Sequence, residues 1–359
     1  MVITNYYLPV DLGVIVNKTR IAVVGAGILG SRHARVFHEQ PDAELIAVVD
    51  VNPARADVAE RFGAKFYQDV HTMLTNENVD AVAVATPDHL HREPVLAALH
   101  AGKHVFVEKP LATTLADARE LASASAQSNC VVMVNYSQRF VADHVWIKQT
   151  IDAGLIGKPQ LVLSVKFDTI SVPTGMIRGW SAQTSPIFFM SSHDLDLTYW
   201  FLGKKPTQVF AHETRGTLDA QGIAVHDGLN ALIQFEDGVS TNFHSSWIHP
   251  NTYPRVADGY LQIIGSDGAL MYNNRTRAVE FFNSKGGQKI EFTGPHTADE
   301  VGGKITGAFT ESVRHFITCV AEKREPQTSP ARTLIVTETQ AAVIESLRTG
   351  QPINIARSA

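Results

Sequence analysis

The sequence predicts an α/β chain of two domains, the first built on a doubly wound parallel sheet and the second an α+β domain with a large open, mostly antiparallel sheet. Three observations predict this. Over residues 1–135 short apolar runs alternate with helical patterns of about ten residues, as strands covered on both faces do. The apolar run Arg20–Val24 leads directly into the glycine cluster Gly25-Ala26-Gly27-Ile28-Leu29-Gly30. From Pro159 onward the pattern changes to longer segments of alternating apolar and polar residues joined by turn signals. At 359 residues the chain also exceeds the roughly 250–300 at which a single core stops growing.

Taken in order, Arg20–Val24 is the first strand and a helix opens at Ile28; Leu45–Val49 is the second strand and ends at Asp50. Pro53–Phe62 reads as helix, with Pro53 in its first turn. Gly63–Tyr67 reads as a short strand, His71–Thr75 as a helical turn and Ala81–Ala85 as a buried strand. Pro94–Ala101 is a helix closed by Gly102. His104–Val107 is a strand, Leu115–Ser125 a helix and Val131–Val134 a strand, completing a first domain of residues 1–136.

In the second domain, residues 137–359, strands are expected at Gln160–Phe167, Gln208–Glu213, Gly228–Phe235, Gly238–Trp247, Gly259–Ile264, Ala269–Tyr272 and Ala278–Phe282. Glu236-Asp237-Gly238 and Ser266-Asp267-Gly268 read as hairpin turns. Helical patterns at Val141–Ala153, Ser192–Leu202, Ala308–Glu322 and Leu334–Thr349 are expected to cover one face of that sheet. Residues 1–18 lack the cationic start and small-residue cleavage site of a secretory signal, and fit an added strand, an arm to a partner subunit or a mis-assigned start.

Composition narrows the function classes. Apolar content of 44% and charged content of 19% are those of a soluble globular protein. A formal charge of −5 without basic clusters argues against nucleic acid as a partner. No apolar stretch approaches the ~18 residues that span a bilayer, which argues against a membrane partner. Two cysteines, Cys130 and Cys319, form no disulfide framework and point to the cytoplasm, both as core fillers.

The glycine cluster has the spacing of a dinucleotide grip. Gly25 permits the tight turn, Gly27 lets backbone approach a pyrophosphate, and Gly30 lets the helix pack on the strand. The helix opening at Ile28 and Leu29 offers free N–H groups and a positive dipole end to phosphates. Asp50 falls where a carboxylate accepts hydrogen bonds from the adenosine ribose. The first domain is therefore expected to be a Rossmann dinucleotide-binding domain. Because Asp50 would repel a 2′-phosphate, and Val51 and Asn52 supply no cation, NAD is favoured over NADP.

Two further motifs fall at the carboxyl ends of first-domain strands, where ligands bind in open α/β sheets. One is Ala85-Thr86-Pro87-Asp88-His89-Leu90-His91; the other is Val107-Glu108-Lys109-Pro110. Lys109 directly follows a buried strand, so its ammonium should stand near the nicotinamide end, able to hold a substrate hydroxyl and stabilise a developing alkoxide. Pro110 raises the possibility of a cis peptide.

The glycine fingerprint, Thr86-Pro87 with His91, and Glu108-Lys109-Pro110 together resemble the Gfo/Idh/MocA oxidoreductase family, which includes glucose–fructose oxidoreductase and inositol dehydrogenases. Tyr136–Phe140 resembles that family's entry into the second domain, Ser192–Trp200 its helix carrying the catalytic histidine, and Glu345–Pro352 its ending. The resemblance implies hydride transfer between NAD⁺ and a secondary hydroxyl of a sugar, polyol or cyclitol. Gly25, Gly27, Ile28, Leu29, Gly30, Asp50, Thr86, Pro87, His91, Glu108 and Lys109 would serve the cofactor. His193 would act as general base and Lys109 would polarise the hydroxyl oxygen.

Asp194 and Asp196 lie in the same first helical turn, where acids favour the dipole, and Asp196 is expected to be structural. Many catalytic relatives place an aspartate four residues before the histidine; this chain has Phe189. Asp168, Tyr136 and His249 are candidates to fill in, and an apolar wall beside His193 would lower its pKa.

Arg178, Trp180, Trp247 and His249, with Tyr136, are the expected substrate lining. His212, His226 and His244 fall on strand patterns and read as sheet residues. None of the 15 histidines has zinc-ligand spacing supported by an acid or cysteine, so no metal is expected. A broad exposed sheet face implies a homo-oligomer, dimer or tetramer. Two alternatives stand beside dehydrogenation: NAD-assisted glycoside cleavage or elimination, and a non-catalytic cofactor-binding regulator on the same fold.

Overall fold

Apolar runs rich in valine and alanine form β1 (Thr19–Val24), β2 (Ala43–Val49), β4 (Ala81–Val84), β5 (His104–Glu108) and β6 (Val132–Asn135), and the short, half-exposed β3 (Lys65–Tyr67) lies at the edge beside β2. The structure, a computed structural model, describes residues 18–253, 255–274, 278–291 and 299–355. Residues 1–17, with the question of their role, lie outside the described residues. The six strands are all parallel in the order β3-β2-β1-β4-β5-β6. The order reverses between β1 and β4, which opens a crevice at their carboxyl ends.

Helices α1 (Ile28–Glu39), α2 (Ala56–Arg61), α3 (Val70–Asn76), α4 (Arg92–His100) and α5 (Leu115–Gln127) supply the crossovers. Pro53–Arg55 forms a 3₁₀ turn rather than the start of one continuous helix, capped by the Asn52 side chain. Asp69 and Thr114 cap α3 and α5 through their side chains, as the sequence chemistry of helix starts requires.

The second sheet has nine strands among the described residues, in the order β14-β13-β12-β11-β7-β10-β9-β8-β17. These are β7 (Pro159–Thr169), β8 (Pro206–Thr214), β9 (Gly228–Phe235), β10 (Ser240–His249), β11 (Ala257–Gly265), β12 (Gly268–Asn273), β13 (Ala278–Asn283), β14 (Gly286–Glu291) and β17 (Ile353–Asn354). A small separate hairpin joins β15 (Asp299–Val301) to β16 (Lys304–Thr306). Every pairing in the large sheet is antiparallel except β10 with β7. The turn at Glu236-Asp237-Gly238 carries positive φ at both Asp237 (59°) and Gly238 (79°), the conformation a tight hairpin demands. Strands β14 to β17 were not anticipated: their short polar and glycine-rich segments carry little alternation.

One face of this sheet is covered by α6 (Ala142–Asp152), α7 (Pro186–Phe189), α8 (Ser192–Leu202) and α10 (Pro330–Thr349). Helix α9 (Ala308–Glu322) departs from expectation. Its apolar stripe, Val313, Phe316, Ile317 and Cys319, packs with Ile21, Val23, Phe37 and Phe106, so it covers the parallel sheet and not the antiparallel one. Helix α10 starts earlier than the apolar pattern suggested, with Pro330 in its first turn. It touches α5 and β6 as well as β8 and α8, and a single apolar cluster runs across both sheets through it. His226 sits before β9, outside the strand. Cys319 is buried as expected, whereas Cys130 is only partly so.

Candidate active site

The three glycines of the fingerprint are required for different reasons. At Gly25 φ is +89°, and a Cβ would come within 2.7 Å of the backbone of Ala85 and Thr86. At Gly30 a Cβ would lie 1.6 Å from the carbonyl oxygen of Gly25, so α1 could not seat against its strand. Gly27 is free of both constraints: a Cβ there meets nothing within 4 Å. The space it leaves lies at the N-terminus of α1, where first-turn N–H groups have no helical partner, and Ile28 beside it is 59% exposed. Such a cradle fits a pyrophosphate.

At the end of β2, Asp50 accepts from the N–H of Ala26 through Oδ2 (2.7 Å) and from the N–H of Asn52 through Oδ1 (2.9 Å). The glycine loop and the carboxylate are thus held to each other, and each oxygen keeps a second acceptor position for a ribose hydroxyl. These residues fit a bound dinucleotide.

The other motif residues divide between the crevice and its supports. Thr86 and Pro87 follow β4 at the reversal of strand order. His91 is buried, with Nδ1 2.8 Å from the carbonyl oxygen of Pro110 and Nε2 3.1 Å from that of Thr86. It joins the loops after β4 and β5. Burial holds its pKa below the ordinary histidine value. Glu108 is turned beneath the sheet edge: its Oε1 lies 2.6 Å from His33 Nε2 and accepts from Asn135 Nδ2 at 2.8 Å. Burial pulls its pKa up, but those two contacts and neighbouring Lys109 hold it below the usual carboxylate range. His91 therefore braces the loops after β4 and β5, and Glu108 ties β5 to α1 and β6.

Lys109 emerges from β5 through a cis Lys109–Pro110 peptide. Its ammonium donates to the backbone carbonyl of Phe189 and lies 4.9 Å from the centre of the Phe189 ring. Burial lowers its pKa, against the opposing pull of Glu108, Asp88 and Asp168. His193 is the second residue of α8, with the Tyr136 ring edge-on to it at 6.1 Å between centroids. Its Nδ1 is buried without a hydrogen-bond partner among the described residues. Burial first, then the charges of Lys109, Lys166 and His144, push its pKa well below the ordinary value. Lysine and histidine, distant in sequence, are thus close enough for one to act on the other's charge.

Between the inner face of the second sheet and α6 and α8, and reaching Asp194 next to His193 in the chain, lies a cavity of about 400 Å³. Gln138, Ser164, Lys166, Asp194, Arg255 and Asn274 are its principal polar lining. The sequence reading missed these residues except Asp194, although period-two spacing puts Ser164, Lys166 and Asp168 on one face of β7. Asp194 is half-buried, its Oδ2 enclosed and unpartnered among the described residues, and desolvation raises its pKa. Asp168 is also buried, its pKa pushed up to about 6 by burial, with Lys166 and Lys109 pulling the other way.

Asp196 faces away, in a buried bidentate pair with Arg139 (2.6 and 2.8 Å). The expected substrate lining is only partly assembled. Tyr136 stands beside His193, and Trp180 packs on His89 and Phe189. Trp247 is 0% exposed and its indole N–H donates to the carbonyl of His226, so it is core and offers no surface. Arg178 is exposed and makes a long 3.5 Å contact to the Thr174 carbonyl. His249 packs between Phe167 and Tyr253, outside the cavity wall. Among the described residues no helix is long and apolar enough to cross a membrane.

Comparison with known proteins accords with this geometry. Residues 19–136 match the family described as "Oxidoreductase family, NAD-binding Rossmann fold", and residues 144–271 match the "GFO/IDH/MocA C-terminal domain". The chain is 27% identical over 347 residues to scyllo-inositol 2-dehydrogenase (NAD(+)) of Bacillus subtilis, covering 94% of this chain and 97% of that protein. It is 30% identical over 270 residues to myo-inositol 2-dehydrogenase of Thermotoga maritima, covering 74% and 73%. Among solved structures, myo-inositol 2-dehydrogenase of Lactobacillus plantarum superposes with a TM-score of 0.80 at 22% identity, covering 94% of this chain and all of that one.

Proposed function

From the premise that the chain belongs to the Gfo/Idh/MocA oxidoreductase family, we propose that it is an NAD-dependent dehydrogenase acting on a secondary hydroxyl of a cyclitol or related polyol. The observation that carries this reading is a polar cavity large enough for a six-membered ring, lined by Asp194, next to His193 on α8, and by Lys166, whose charge reaches His193 as that of Lys109 does. The inositol dehydrogenases among its relatives support the substrate class.

The Gly25–Gly30 loop, the first turn of α1 and Asp50 would hold the dinucleotide. When NAD⁺ is bound, its nicotinamide supplies the hydride acceptor. His193, kept neutral by burial, accepts the hydroxyl proton. Lys109, already oriented by Phe189, presents a remaining ammonium proton to the same oxygen and stabilises its developing charge. Gln138, Ser164, Lys166 and Asn274 offer donors and acceptors to the other hydroxyls.

The first and second domains are assigned to residues 1–136 and 137–359, with α9 returning to the first sheet. Leu161, Ile264 and Phe282 form one cross-strand row on the outer face of the second sheet, 37–51% exposed, and we assign that face to self-association. The two free cysteines accord with a reducing cytoplasm.

The test is to incubate purified protein with NAD⁺ and a panel of inositols, other polyols, monosaccharides and aryl glycosides, following reduced nicotinamide and aryl release. Lys109→Ala-sensitive reduction of NAD⁺ by a cyclitol is the expected result. Aryl release without net reduction, or tight cofactor binding with no turnover on any compound, overturns it. Light scattering reads the oligomer.

A further inference from the structure

The cavity between the second sheet and α8 carries an unmatched cation. Lys166 on β7 is half-buried and lines it, yet its ammonium makes no hydrogen bond and no ion pair among the described residues. Three other half-buried lysines each end on an acceptor: Lys109 on the Phe189 carbonyl, Lys148 on Asp152 and Lys204 on Asp237. Lys166 instead faces the cavity. A charge drawn partly out of water without a partner costs free energy, and an opposite charge recovers it.

Strand register gathers further ligand-binding groups around it. Lys166 pairs with Gly259 across β7 and β11, and the N–H of Asn274 donates to the Gly259 carbonyl at 3.2 Å. Gly259 has no side chain, so the floor between Lys166 and Asn274 stays open, and all three residues line the cavity. Arg255 brings a second cation to the exposed rim, its guanidinium donating to the Asn274 carbonyl at 2.9 Å. The lining also holds two enclosed acceptors without partners among the described residues, Asn274 Oδ1 and Asp194 Oδ2. Asp194 is the cavity's one carboxyl among those residues, and it forms no ion pair with Lys166. Desolvation raises its pKa against the pull of Lys166, which weakens it as a competing anion.

We propose that the cavity selects a ring polyol carrying a carboxylate, with Lys166 as the residue that sets this preference, Arg255 adding charge at the rim, and Asn274 and Asp194 receiving hydroxyls. The inference rests on reading the cavity as the substrate site of a dehydrogenase. A neutral cyclitol offers the ammonium hydroxyl oxygens alone, with no opposite charge to offset its desolvation. One ammonium matches the single charge of a carboxylate, whereas a phosphomonoester carries about 1.5 to 2.

Isothermal titration calorimetry of the full-length protein with NAD⁺ present tests this on matched ring compounds: D-glucuronate against D-glucose, D-galacturonate against D-galactose, with glucose 6-phosphate and myo-inositol beside them. At least one hexuronate should bind about tenfold or more tightly than its hexose. Lys166→Met should reduce that ratio about tenfold, and Lys166→Arg should keep most of it. Four results overturn the proposal: no binding of either hexuronate, equal affinity for acid and hexose, a ratio unmoved in Lys166→Met, or tighter binding of the phosphate than of either hexuronate. If Lys166→Met does not fold, the wild-type protein still decides. Sodium chloride at about 0.5 M should weaken the hexuronate and spare the hexose, and an equal response of the two overturns the proposal.

Binding needs no turnover, so the two readings fail separately. A Lys166-dependent preference for the acid without reduction of NAD⁺ counts against the dehydrogenase reading and leaves the carboxylate preference standing. Reduction of NAD⁺ by inositols with no preference for an acid does the reverse.

Discussion

Lys109 of the first domain meets Phe189 of the second twice, donating to its backbone carbonyl and lying 4.9 Å from its ring centre. The carbonyl contact survives any side-chain substitution; the cation–ring contact, worth about 0.5–2 kcal/mol, does not. Phe189→Leu should therefore lower kcat/KM by about 3- to 30-fold and leave NAD affinity unchanged, measured by steady-state kinetics and by cofactor titration. An unchanged kcat/KM would show that the ring is incidental.

The glycines of the fingerprint make a paired prediction. Gly27→Ala adds a methyl into open space, so thermal stability should stay near wild type while NAD binding weakens at least about tenfold. Gly30→Ala drives the same methyl into the Gly25 carbonyl and should prevent α1 from packing. Differential scanning fluorimetry with and without NAD separates the two outcomes.

His193 should not titrate in the range where exposed histidines do. Burial and two nearby ammonium groups lower its pKa, so the neutral ring persists well below pH 6.5. Imidazole resonances followed by NMR between pH 5.5 and 8 should leave it unmoved. A histidine lost in His193→Gln and titrating near 6.5 would contradict the burial described.

Asp168 has a stability cost of definite sign. Its folded pKa, about 6, exceeds the unfolded value near 3.9, so the unfolded state ionises first and stability falls as pH rises from about 4 to 6. Above pH 6 the cost approaches about 3 kcal/mol. Asp168→Asn should be more stable than wild type at pH 8, with the gap closing toward pH 4. Chemical denaturation at both pH values measures it; a variant equally destabilised at both would contradict the sign.

The buried Arg139–Asp196 pair should behave in the opposite way. Arg139 also donates to the Gln327 carbonyl and lies 5.6 Å from the Trp200 ring. Arg139→Leu leaves Asp196 buried and unpaired and should cost about 3–5 kcal/mol, partly recovered by the double variant Arg139→Leu/Asp196→Leu. Denaturant midpoints of the two variants decide this.

Much of this molecule is legible before folding. Ala308–Glu322 and Ser192–Leu202 read from their periodicity with the limits the structure has. Periodicity reports an apolar stripe, however, and not which sheet receives it, so α9 was expected on the second sheet while it packs on the first. Gly25 and Gly30 were legible because each answers a local backbone demand. Glu108 was not, because its partner His33 comes from a helix that sequence spacing does not place beneath it. Trp247 and Trp180 look alike as aromatic residues near a cleft; only three-dimensional neighbours show Trp247 inside an apolar cluster and Trp180 partly buried against it. The cavity eluded the reading for a related reason. Alternation put Ser164 and Lys166 on a buried face, but a void between that face and α8 depends on contacts far apart in the chain.

The ring of His91 sits between the carbonyls of Thr86 and Pro110 and, with one N–H when neutral, donates to one while packing against the other, so the turns leaving β4 and β5 meet through it. A change that tilts either turn drags Lys109 with it. New substrate preferences are therefore easiest to reach by remodelling the strands opposite, where Ser164, Lys166 and Asn274 can be exchanged without disturbing the lysine's mounting. Directed-evolution libraries confined to that wall should return altered selectivity, and libraries in the two turns mostly inactive protein.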